Sequence, residues 1–161
     1  MTVFAMPLNG TISTSTSTEP NTPSIAPDIS IETYKKIPVT EVSCLGNYIS
    51  PENCQAAKEA MIVWADSHWS LAPRSHHAQA SLPKNSTDAV VWTVCNLKYM
   101  DWDPIPEKEL DEVETILHRE CGKHRAGRVY SRKWRKEYIL STYQWYKHHA
   151  NQRHHHLCKH H

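Results

Sequence analysis

The five cysteines of this chain constrain its fold more than any other feature of the sequence. They are Cys44, Cys54, Cys95, Cys121 and Cys158, and no two of them form a C-x-x-C pair. Zinc ribbons and thioredoxin-type redox sites use such pairs, so neither kind of site is supported. An odd number of cysteines in a small domain fits two disulfide bonds and one remaining thiol. The sequence therefore predicts a disulfide-stabilised fold.

The pairing of these cysteines is open, because four of them can be joined in three ways. We favour Cys44 with Cys121 and Cys54 with Cys95, since each bond would then join the end of a strand to the end of a helix. Cys158 would remain the free thiol. Each disulfide contributes roughly 2–4 kcal/mol to a small domain, which favours a structural role for these residues over a catalytic one.

Hydrophobic periodicity divides the middle of the chain into strands and helices. Alternating segments predict strands at 37–44, 89–97 and 125–130. Apolar residues recur every three or four positions from Cys54 to His68 and from Leu110 to Cys121, which predicts two helices. Residues 134–143 fit a strand or a short helix, and the Pro- and Ser-rich residues 71–88 are predicted to be a loop. The pattern predicts an α+β fold, a small and mostly antiparallel sheet with two helices packed on one face.

Composition predicts three regions along the chain. Residues 1–36 are rich in Ser, Thr and Pro and predict a disordered leader, residues 37–146 a single α+β domain, and residues 147–161 a flexible His-rich tail. One hypothesis is that the leader is a propeptide cleaved at Lys35-Lys36; two ordinary surface lysines are the alternative. With 161 residues the chain can fill one modest core.

Several features are compatible with export from the cell. Asn9 and Asn85 stand in N-x-S/T sequons and are candidate glycosylation sites. No apolar run approaches the roughly 18 residues needed to cross a bilayer, so we expect no transmembrane segment. The first residues lack the basic and apolar regions of a signal peptide, so a secreted form would begin after its signal. The predicted location is extracellular.

A basic, aromatic segment follows the second predicted helix. Cations interleaved with aromatic rings are typical of surfaces that bind anionic partners. A host protein, a glycan or another anionic surface would fit, whereas no nucleic-acid module is recognisable and nucleic acid is not favoured. The solvated outer face of a strand is the alternative. The candidate binding residues are Arg125, Arg128, Arg132, Lys133, Trp134, Arg135 and Lys136.

The C-terminal tail offers metal ligands. Imidazole and thiolate groups suit Zn²⁺ or Cu²⁺, although nothing in the chain requires a cofactor. Protonation of the same histidines in acid would also make this end more positive. The candidate ligands are His148, His149, His154, His155, His156, Cys158, His160 and His161.

The sequence favours a catalytic function less than a binding function. A nuclease would need a histidine pair, or His with Glu, near a phosphate-binding cation. Another hydrolase could use Asp101 and Asp103, but their spacing in a Pro-containing turn is typical of turn chemistry. No glycine-rich phosphate loop, G-x-S-x-G or H-E-x-x-H motif is present. The candidate nuclease residues are His118, Glu120, Lys123 and His124.

About half of the chain resembles small secreted fungal proteins. The likeness rests on Val94-Cys95-Asn96, Glu109-Leu110, Cys121-Gly122, Arg125-Ala126-Gly127 and Trp134-Arg135-Lys136. Such proteins include effector-like, necrosis-inducing and killer-toxin-like proteins, some with a split βαβ sandwich. This chain lacks a cysteine at the start of the second helix and adds the His-rich tail. The resemblance implies a secreted effector-like or toxin-like protein that acts by binding a host or competitor target.

Overall fold

Five antiparallel strands form the sheet of this protein. In a computed structural model of the chain, the described residues are 34–81, 83, 86–151 and 157–158. The strands are β1 (Glu41–Tyr48), β2 (Ser75–Ala80), β3 (Val90–Asn96), β4 (Arg125–Ser131) and β5 (Lys136–Thr142). Their spatial order is β1-β4-β5-β3-β2, and every neighbouring pair is antiparallel. The predicted α+β class with an antiparallel sheet is confirmed.

Two helices cover one face of the sheet, as predicted. They are α1 (Pro51–His68) and α2 (Glu107–Cys121), and a third helix, α3 (Tyr143–Ala150), follows β5. Ser50 caps α1 by accepting a hydrogen bond from the Asn53 amide, and Gly122 ends α2 at a φ of 93°. Among the described residues no helix has the length and hydrophobicity needed to cross a membrane.

The main core lies between the sheet and the first two helices. Val90, Trp92 and Val94 alternate along β3 and point toward the helices, because successive strand residues face opposite sides of a sheet. They pack with Met61 of α1, Leu117 of α2 and other apolar residues of the same cluster. Trp92 is completely buried, and every residue of β3 is buried. The strand at the centre of the sheet is β5, and β3 lies between it and the edge strand β2.

The prediction of a loop over residues 71–88 is wrong in its middle, where β2 lies. The sequence SHHAQA contains no β-branched residue, so its local preference for a strand is weak. Pairing with β3, from Ser75 opposite Asn96 to Ala80 opposite Val91, supplies the stabilisation instead. Residues 134–143, which fitted either a strand or a short helix, contain β5.

The disulfide bonds are Cys44–Cys121 and Cys95–Cys158, and Cys54 is free and buried. The first bond is one of the two pairs favoured from the sequence. The prediction of a Cys54–Cys95 bond is wrong, and so is the prediction that Cys158 is a free thiol. Cys54 packs in the main core, whereas Cys95 follows the core residue Val94 and faces the opposite side of the sheet.

The C-terminal segment differs from the flexible tail that the sequence predicted. Helix α3 extends to Ala150, and Leu157 and Cys158 are both buried. These two residues pack with Cys95 and Ile139 in a second, smaller apolar cluster. The Arg128 guanidinium also donates a hydrogen bond of 3.0 Å to the Leu157 carbonyl. A disulfide, apolar contacts and a hydrogen bond therefore hold this part of the chain on the second face of the sheet.

Gly127 in β4 permits α2 to approach the sheet closely. A Cβ atom at this position would lie 2.5 Å from Leu117 Cδ2 and 3.2 Å from the Ser43 carbonyl oxygen. We expect Gly127→Ala to lower the free energy of unfolding by about 1–3 kcal/mol, because the crowded core and backbone must shift. Urea denaturation monitored by circular dichroism measures this change. A variant as stable as the wild type would contradict the packing described here.

Candidate functional site: an aromatic platform at one end of the sheet

Three loops meet at one end of the sheet, formed by residues 69–74, 97–106 and 132–135. They meet because the antiparallel strands place the start of β2, the end of β3 and the β4–β5 turn at the same edge. Leu71 and Asp103 exchange two backbone hydrogen bonds of 2.7 and 3.0 Å. The Leu97 amide donates to the Arg135 carbonyl oxygen at 2.8 Å. Backbone pairing thus connects all three loops.

The buried side chain of Asn96 fixes the first two loops further. Its amide nitrogen donates to the carbonyl oxygens of Leu71, Ala72 and Asp101 at 2.8–3.1 Å. Its oxygen accepts a hydrogen bond from the Lys98 amide at 3.0 Å. Asn96 is fully buried, and a buried polar side chain with all these partners specifies one arrangement of the loops around it.

Four large apolar side chains stand exposed on these ordered loops. The exposed fractions are 87% for Trp69, 55% for Tyr99, 86% for Met100 and 62% for Trp102. We call these four residues the aromatic platform. Single exposed apolar residues are normal on protein surfaces, whereas a group of large ones marks an interaction site more often than chance.

Arginine side chains flank the platform. The guanidinium carbons of Arg74 and Arg135 lie 4.0 and 4.2 Å from the centroid of the Tyr99 ring, within cation–π distance. The three loops together contain five basic residues and two acidic ones, so their net charge is +3. The platform therefore combines apolar rings with a positive surrounding.

Backbone strain concentrates in the same loops. Among the described residues, four that are not glycine have a positive φ, and three of them are Trp69 at 64°, Arg74 at 54° and Arg135 at 52°. The left-handed region is unfavourable for bulky side chains and costs on the order of 1 kcal/mol each. Strain of this kind is typical of functional loops, because the surrounding structure must hold them in one conformation.

A buried group of charges anchors the platform to the sheet below it. The Lys136 ammonium lies 2.6 Å from Glu109 Oε2 and 3.4 Å from Asp103 Oδ1, and it also donates to the Pro104 carbonyl. The Tyr138 hydroxyl donates to the same Glu109 oxygen. Burial, followed by the negative charge of Glu109, raises the pKa of Tyr138 well above its ordinary value. These contacts connect α2, β5 and the loop that carries Trp102.

The structure corrects the prediction that the whole basic segment forms one binding surface. Lys136 is buried in the charge group above, and Arg128 lies 2.7 Å from the buried Glu137 in a second ion pair. Arg125 is exposed at the opposite end of β4, and Trp134 packs partly against the core. Three basic side chains of the segment are accessible at the end of the sheet where the platform lies, those of Arg132, Lys133 and Arg135. A strand alternates its faces, so a continuous basic sequence cannot present all its charges on one side.

The structure brings two of the candidate nuclease residues together. The rings of His118 and His124 lie edge to face with centroids 5.4 Å apart, so they contact each other directly. Asp103 is buried in ion pairing, whereas Asp101 is exposed. The two aspartates therefore lie in different environments and serve the loop structure.

Three candidate metal ligands, His148, His149 and Cys158, lie in the described part of the chain. His149 stacks on Trp145 with ring centroids 3.9 Å apart and donates from Nδ1 to the Trp145 carbonyl, while His148 is exposed. Cys158 is in a disulfide, so its thiolate is not available as a ligand. No group of three or more His, Cys, Asp or Glu residues in the described ranges could hold a metal ion. Outside the described residues lie His154, His155, His156, His160, His161, Asn9 and Asn85.

Sequence reasoning missed the platform itself. Trp69, Tyr99 and Trp102 stand in segments without periodicity, next to Pro, Asp and Ser, where an apolar residue has no core to join. That combination is a usable signal, because large aromatic side chains in loops are either packed against the domain or exposed for contact. The sequence could not show that the two loops carrying them meet at one end of the sheet.

Comparison of the chain with protein-family models, curated proteins and solved structures finds no match. The fold and the platform together define a disulfide-bonded α+β protein with a preformed, exposed aromatic surface. The geometry of that surface is the basis for a functional proposal.

Proposed function

We propose that this chain is a secreted effector-like or toxin-like protein that binds an acidic surface of a partner protein through the aromatic platform. The observation that carries the proposal is the exposure of Trp69, Tyr99, Met100 and Trp102 on loops that hydrogen bonds hold in place. Trp, Tyr and Arg are the residues that most often dominate the binding energy of protein interfaces. The partner belongs to a host or competitor cell.

Preorganisation supports a role in tight binding. Association costs free energy whenever loops and side chains must become ordered at the interface. Here Asn96 and the Leu71–Asp103 backbone pair already order the loops before any partner arrives. A larger part of the contact energy is then available for affinity.

Charge supports an acidic partner. The net charge of +3 on the three loops would speed the approach of an acidic surface and disfavour a basic one. Arg74 and Arg135 already stack on Tyr99, so their charge lies beside the apolar contact area. An interface with a central aromatic group and a charged rim follows from this arrangement.

The disulfides support action outside the cell. Bonds such as Cys44–Cys121 and Cys95–Cys158 persist in oxidising compartments and are rare in the reducing cytosol. An extracellular route therefore fits the covalent structure of the domain.

Replacing the platform rings should strongly weaken cell-surface binding. We expect the triple variant Trp69→Ala, Tyr99→Ala and Trp102→Ala to bind at least about 100-fold more weakly, because each interface hot spot contributes on the order of 2 kcal/mol. Fluorescently labelled protein is titrated onto intact plant protoplasts and fungal spheroplasts, before and after protease treatment of the cells. Circular dichroism checks that the variant is folded.

The matched control is Tyr48→Ala. Tyr48 is 61% exposed but lies at the opposite end of the sheet, where it pairs with Arg125. This variant should bind like the wild type, and protease treatment of the cells should remove binding. Equal binding by the triple variant and the wild type would overturn the proposal. Binding that survives protease but disappears after glycan digestion would overturn the choice of a protein partner.

A further inference from the structure

A stack of aromatic and imidazole rings joins α1 to β2, the two elements that flank the loop of residues 69–74. The Trp64 ring stacks on His77 with centroids 3.6 Å apart and on His68 with centroids 4.6 Å apart, both at an interplanar angle of 12°. Trp69 follows α1 immediately, and Arg74 immediately precedes β2. The stack therefore holds both ends of the loop formed by residues 69–74.

The hydrogen bond that His77 makes favours the neutral form of its imidazole ring. Its Nε2 lies 2.7 Å from the Gln79 side-chain nitrogen, which can only donate, so Nε2 accepts and the ring is uncharged. A proton on Nε2 would place two donors against each other at this distance. The hydrogen bond from Gln79 depends on that protonation state.

The charges around His77 also oppose proton uptake. His68 on α1 and His76 on β2 are the titratable groups that act on it, and its partner across the sheet, Val94 of β3, is uncharged. Burial is the largest effect and these two histidines follow, and together they lower the pKa of His77 to about 4. When the stack is open, His77 takes up a proton below about pH 6.5, the ordinary pKa of histidine. The stacked ring stays neutral to a lower pH, because its pKa is lowered to about 4. The stack is therefore fully stable above pH 6.5 and loses stability as the pH falls toward 4.

We propose that the stack of Trp64, His68 and His77 is an acid-sensitive joint, which fixes the Trp69 and Arg74 loop at neutral pH and releases it in acid. Release would loosen the platform and weaken partner binding in an acidic compartment. That consequence rests on the proposed function, but the joint itself can be tested without any partner.

Hydrogen–deuterium exchange of the intact protein at pH 7.0 and pH 4.5 tests the joint. After correction for the intrinsic effect of pH, we expect the protection of residues 69–80 to fall by about tenfold in acid. His77→Phe keeps a ring on Trp64 but cannot take up a proton, so its protection should stay within about twofold. Gln79→Glu should also resist acid, because an ionised carboxylate would accept a hydrogen bond from protonated His77.

His118→Phe is the matched control, since His118 lies on α2 and does not contact the stack. It should show the same loss of protection as the wild type. Unchanged wild-type protection at the two pH values would overturn the proposal, and so would an equal loss in His77→Phe. A uniform loss over the whole chain would overturn it as well, because that result describes global acid unfolding. Failure here leaves the cell-binding assay of the platform rings unaffected.

Discussion

Lys136→Met is expected to lower the free energy of unfolding by about 3–5 kcal/mol, because it leaves the buried Glu109 carboxylate without its counter-charge. The Lys136 ammonium is completely buried and lies within ion-pair distance of Glu109 and Asp103. Methionine is similar in length and apolar, so the loss comes mainly from the charge. Urea denaturation at pH 7 measures the change.

Two further variants separate charge burial from the loss of a surface cation. Lys133→Met removes an exposed charge in the neighbouring turn and should change the stability by less than about 0.5 kcal/mol. The double variant Lys136→Met with Glu109→Gln should recover part of the loss, because neither partner then carries an unpaired charge. A change below about 1 kcal/mol in Lys136→Met alone would contradict the buried ion pair. The comparison also matters for activity assays, in which loss of function on replacing Lys136 reports folding and not binding.

Removing the Cys44–Cys121 disulfide should have a similarly large effect. The two residues are 77 positions apart, and releasing a loop of that size costs about 4 kcal/mol on the chain-entropy account. We therefore expect the double variant Cys44→Ala with Cys121→Ala to lower Tm by roughly 10–20 °C. Differential scanning calorimetry at pH 7 gives the value. A Tm equal to that of the wild type would contradict a structural role for the bond.

Counting reactive thiols is an independent check of the two disulfide bonds, because Cys54 is the one cysteine expected to be free. Burial raises the pKa of the Cys54 thiol to about 12, so the native protein should not react with iodoacetamide at pH 8. Mass spectrometry should then find one alkylated cysteine after denaturation without reduction, and five after reduction. Three or more reactive thiols without reduction would show that one of the two disulfides is missing.

Local patterns made much of the fold predictable. The alternation in AVVWTVCNL predicted the buried strand β3, and the spacing from Leu110 to Cys121 predicted α2. Both signals are local, because a buried strand and an amphipathic helix must place apolar residues at fixed intervals. Strand β2 lacked such a signal, since its stability depends on pairing with β3.

The candidate site was less predictable for the same reason. Arg132, Lys133 and Arg135 belong to the segment that the sequence indicated, but Lys136 and Arg128 turned out to be paired in the interior. Helix and strand packing places Glu109 beside Lys136 and Glu137 beside Arg128. No property of the basic segment itself distinguishes its buried cations from its exposed ones.

The sequence by itself determined the α+β class, the two long helices, the buried strand β3 and the need for disulfides, because these follow from periodicity and residue type along one stretch of chain. Tertiary structure decided which cysteine meets which and which cations remain in solvent. It also decided that the loops carrying Trp69 and Trp102 meet, since the Leu71–Asp103 backbone pair joins residues more than thirty positions apart. Contacts of that range depend on how the helices and strands pack, which no single segment encodes.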